Sequence, residues 1–157
     1  MKAYDYVFYD CPPNVYAVTK NALYAADFCV VPFVPDFLSL SGFQILAQQV
    51  EQFSDRVSGF RQGRRRSSIT AIAVSHYREI NAFRQGVEEL RNTLAQLKAQ
   101  HQVLPSCEVL EPFVRLSADV AASTGEHLPV CLHAPDSIGS ADYYQLAQAL
   151  EAHLEQL

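Results

Sequence analysis

Apolar residues in this chain gather into short unbroken runs, separated by longer stretches where they recur every three or four positions. The runs at 5–10 (DYVFYD), 28–34 (FCVVPFV), 68–77 (SITAIAVSHY), 107–111 (CEVLE) and 129–133 (PVCLH) read as strands. The second is almost continuously apolar, the signature of a strand buried on both faces of a parallel sheet. Between the runs the spacing predicts helices. One covers 15–26, with Asn14 as its cap. Another runs from Ser39 or Ser41 to about Val57, with Phe43, Leu46, Ala47, Val50 and Phe53 on one face. A third runs from Asn81 to about Gln100, carrying Phe83, Val87, Leu90, Leu94 and Leu97. A short helix is expected over 115–123, and a last one from Ser140 or Ala141 to about Leu154. Strand and helix alternate five times. The fold class expected is α/β: a parallel sheet of about five strands, helices on both faces, joined by right-handed crossovers.

Composition narrows this picture without changing it. The 157 residues are 49% hydrophobic and 18% charged, which fits one globular domain over 1–157 and excludes wholesale disorder. No apolar run is long enough to cross a bilayer, and no signal-peptide pattern opens the chain, so a cytoplasmic protein is expected. The terminal helix is amphipathic but acidic, through Glu151 and Glu155, which argues against a membrane anchor. Cys11, Cys29, Cys107 and Cys131 are scattered and fit small buried hydrophobes better than zinc ligands or disulfides. The five histidines have no metal spacing. No G-x-S-x-G elbow occurs, and Ser75 and His76 are neighbours, a poor geometry for nucleophile and base. His76 reads as a loop histidine. The net charge of −5 leaves only a local patch for nucleic acid, and Arg61, Arg64, Arg65 and Arg66 in "FRQGRRRSS" supply one.

Three ordered segments carry a family resemblance: "YDYVFYDCPP", "TKNALYAAD" and "VVPFVPDFLSLSG". Together they resemble the ParA/MinD-type partition ATPases, which have a deviant P-loop. There an apolar strand ends in D-x-P-P, the switch II segment with its Walker B-like carboxylate. The matching positions here are Asp10, Pro12 and Pro13, then Thr19, Asn21, Ala22, Leu23 and Asp27, then Pro32, Pro35, Leu38 and Gly42. "VEELRNTL", "VRLSAD" and "DSIGSADYYQLAQAL" are similar to later pieces of the family. Glu111 and Pro112 depart from it, whereas Arg115 and Ser117 match, and Arg115 is a candidate interface residue.

The resemblance implies a SIMIBI-type P-loop scaffold lacking its first strand and P-loop, like the C-terminal portion of such a protein. None of the six glycines lies in a G-x-x-x-x-G-K arrangement, and the lysines are only Lys2, Lys20 and Lys98. Asp10 would orient a Mg²⁺-bound water beside a nucleotide phosphate, and would meet the metal only when nucleotide is present, while Asp5 faces solvent. ATP, Mg²⁺, a ParB-type partner, non-specific DNA and a nucleotide-sandwich dimer are the implied cofactors and partners. A partition ATPase domain inactive by itself is the leading expectation. The alternative is a non-enzymatic dimerisation or interaction module of the same fold. The strands at 5–10 and 28–34 would be left with bare edges, which predicts self-association.

Overall fold

The computed structural model describes residues 4–12, 14–60 and 68–157. In chain order the elements are α1 (Ala17–Ala25), β1 (Cys29–Phe33), α2 (Phe37–Val57), β2 (Ile69–Val74), α3 (Asn81–Ala99), β3 (Glu108–Leu110), α4 (Ala118–Gly125), α5 (Val130–His133) and α6 (Ile138–Glu155). Among the described residues the sheet holds three parallel strands, ordered β1-β2-β3, rather than five. Crossovers of one hand therefore place α2 and α3 side by side on one face. β2 is buried almost throughout its length, so its other face must also be covered. Helix α6 does this, packing on β3 and reaching β2 through His153.

The core lies between the sheet and the α2–α3 layer. Phe43, Ala47 and Val50 of α2 meet Val87, Leu90, Leu94 and Leu97 of α3 over Ile69, Ile72 and Val74 of β2. These are the positions the helical spacing picks out, and each fully buried large aliphatic side chain contributes roughly 1.5–3 kcal/mol. Phe33 sets its ring edge-on to Phe43, at 6.3 Å between centroids, and so pins β1 to α2. The helix starts are chemically explicit. Asp36 accepts from the Ser39 N–H at 2.7 Å to open α2, two or more residues before the expected start. Ser117 and Ser137 do the same for α4 and α6. Asn81, expected as a cap, is the first helical residue behind Ile80.

Three expected elements take another form. Residues 4–10 make no strand; their side chains are exposed and no neighbouring strand offers them a ladder. Residues 129–133 form the single turn α5 behind Pro129, packed on α4 and α6. The helix expected from 115 begins at Ala118, because Val114–Leu116 is taken up in pairing. Val114 N–H donates to Val74 C=O, Tyr77 N–H to Val114 C=O and Leu116 N–H to Tyr77 C=O. The sheet thus continues past β2 and β3, after one extra residue on the β3 side between the Ala73–Leu110 and Tyr77–Arg115 pairs.

Candidate functional site

In a parallel sheet of this kind the ligand side lies beyond the carboxyl ends of the strands. Here that rim consists of the residues after Phe33, the Ser75–Tyr77 turn and the 111–117 segment. His76 takes a left-handed backbone (φ 54°), and among the described residues its ring has one hydrogen-bond partner, its neighbour Ser75 Oγ at 3.3 Å from Nδ1. It is a loop histidine, with no third group to orient it as a base. Tyr77 turns inward against Phe83 and Phe113. Gly86 of α3 passes so close to Pro35 that a Cβ there would stand 2.7 Å from the Pro35 carbonyl oxygen. This close approach fixes α3 against the loop leaving β1.

The most strongly tied polar group on the rim is Arg115, which the sequence offered as an interface residue. Within the fold it is clamped at one end while its side chain stays half exposed. Asp142, one turn into α6 and nearly fully buried, accepts from Arg115 N–H at 3.0 Å, Nε at 2.9 Å and Nη2 at 2.6 Å. These bonds from Arg115 hold the Asp142 carboxyl below the usual carboxylate range, against the opposing effect of burial. Sequence reasoning missed Asp142. The available signal was a carboxylate shortly behind a serine cap, on a helix face that has to turn inward.

Asp10, by contrast, lies exposed in the segment before α1, and no hydrogen bond or ion pair joins it to any described residue. Pro12 is exposed beside it, and its C=O accepts from Asn14 N–H at 2.7 Å in a turn. Pro13, Arg61, Arg64, Arg65 and Arg66 lie outside the described residues. Among the described residues no three acidic, histidine or cysteine side chains gather into a metal cluster. A lone carboxylate does not satisfy Mg²⁺, which needs phosphate oxygens and water as well. The described chain thus contributes one ligand-type group, not a shell.

Two of the thiols are made inert by their environment. Burial pushes Cys107 up to about 12 and Cys29 up to about 11. All four cysteines are free, and no described helix is long and apolar enough to cross a membrane.

Comparison with known proteins shows what the chain is similar to. The model of an AAA domain matches residues 1–60. A ParA family protein of Chlamydia pneumoniae is 28% identical over 150 residues, covering 94% of this chain and 51% of that protein. The chromosome-partitioning ATPase Soj of Thermus thermophilus is 30% identical over 155 residues, 99% of this chain and 56% of Soj. The cell division protein PomZ of Myxococcus xanthus is 24% identical over 139 residues, 88% of this chain and 39% of PomZ. The chain spans about half the length of the curated relatives it matches. A parallel sheet layered with helices is consistent with a P-loop NTPase-like domain. By sequence, the chain is similar over most of its length to ParA-type partition ATPases.

Proposed function

We propose that this chain supplies the Walker B-like side of a partition-type ATPase site, with Asp10 as the carboxylate beside the metal-bound water. The observation that carries the reading is the state of Asp10: exposed, unpaired among the described residues, and followed by Cys11-Pro12-Pro13 within the stretch that matches the AAA domain model. When bound, MgATP would bring the phosphate to be transferred to water, and the protein's contribution would be positioning and charge stabilisation. The 157 residues contain no glycine-rich phosphate loop, so no hydrolysis is expected from this chain by itself. A ParB-type partner and non-specific DNA belong to the same proposal, with Arg61, Arg64, Arg65 and Arg66 as the DNA-facing group. Replacing Arg64, Arg65 and Arg66 by alanine is expected to weaken DNA binding equally for all sequences and to flatten its salt dependence. Unchanged binding would remove the loop from the proposal.

The test of the site is a chimera in which the matched part of Thermus thermophilus Soj is replaced by this chain. The expected result is ATP hydrolysis that falls at least about a hundredfold on Asp10→Ala. A folded chimera that does not hydrolyse ATP, or one indifferent to Asp10→Ala, would overturn the reading. Calorimetric titration of MgATP into the intact chain is expected to give no heat of binding.

A further inference from the structure

We draw no further inference here: the strongest candidate, the groove between α3 and the outer edge of β3 lined by Arg91, Lys98, Glu108 and Val109, carries nothing, because Arg91 is already paired with Glu88 and Glu111 and nothing in the structure shows what covers it.

Discussion

Two polar side chains do the joining that apolar packing leaves undone around α6. Thr70 is the extra residue where the β1–β2 register shifts between Cys29 and Val30. Its hydroxyl stands in for the missing ladder bonds, and its C=O accepts from His153 Nε2 at 3.0 Å. His153→Ala strands that buried carbonyl, so a loss of about 1–3 kcal/mol is expected in denaturant unfolding. A loss within error would show the contact to be idle. Asp142→Ala removes three hydrogen bonds from Arg115, of which the side chain is half exposed and can turn to water; the expected cost is about 2–3 kcal/mol. The pH dependence comes from the direction of the shift. Since the folded-state pKa of Asp142 lies below its unfolded value, the carboxylate's contribution is fully present above about pH 4 and is lost as pH falls through the lower folded value. Acid titration of stability should therefore be shallower in Asp142→Asn than in the parent, and equal slopes would contradict the pairing. Neither partner was legible beforehand. A sequence shows that Thr70, His153 and Asp142 are present, but not that a bulge frees one carbonyl or that a helix turn aims one carboxylate.

The elements themselves were legible in proportion to their length. α2 and α3 span five to six turns, and their apolar spacing returned the buried faces almost residue by residue. β1 and β2 were both legible as apolar runs, but burial on two faces holds for β2 alone; in β1 Val31 and Phe33 are buried and Pro32 between them is exposed, contrary to the expectation for 28–34. The short segments failed for a definite reason. Four or five apolar residues are compatible with a strand or with one helical turn, and tertiary pairing decides. Residues 129–133 had α4 and α6 to pack on, so they turned into α5; residues 5–10 had no ladder to join. In the same way 114–116 was captured by the extension of β2, which delayed α4 to Ala118. One close approach ties these elements into register. Gly86→Ala would set a Cβ 2.7 Å from the backbone oxygen of Pro35, which cannot move aside as a side-chain tip could. A destabilisation of about 1–3 kcal/mol is expected by thermal or denaturant unfolding, and a neutral result would mean that α3 shifts freely against the β1 loop.

At the scale of the molecule, the described residues cover one face of the sheet closely and place no strand on the outer side of β1. The α2–α3 side is closely packed, while β1 keeps an outward backbone row and an exposed Pro32. The candidate site is legible to the same extent: the two prolines behind Cys11 single out Asp10, but the partners that would complete a nucleotide shell are not among the described residues. The cysteines allow this description to be checked. Cys107 is wholly buried beneath α3, and Cys29 sits half-buried at the start of β1. Burial raises both thiols, to about 12 and about 11, leaving roughly a thousandfold and a hundredfold less thiolate than an ordinary cysteine at the same pH. Alkylation near neutral pH should therefore modify Cys11 and Cys131 well before either of them. Cys107 should react only as fast as the whole domain opens, at a rate independent of protein concentration. Cys29, half-buried at the start of β1, should react faster than Cys107 and slower than Cys11. If Cys107 instead reacts as fast as Cys11, the α3 layer does not stay closed over β3, and the burial that sets the two buried thiols apart fails as an account of this side of the fold.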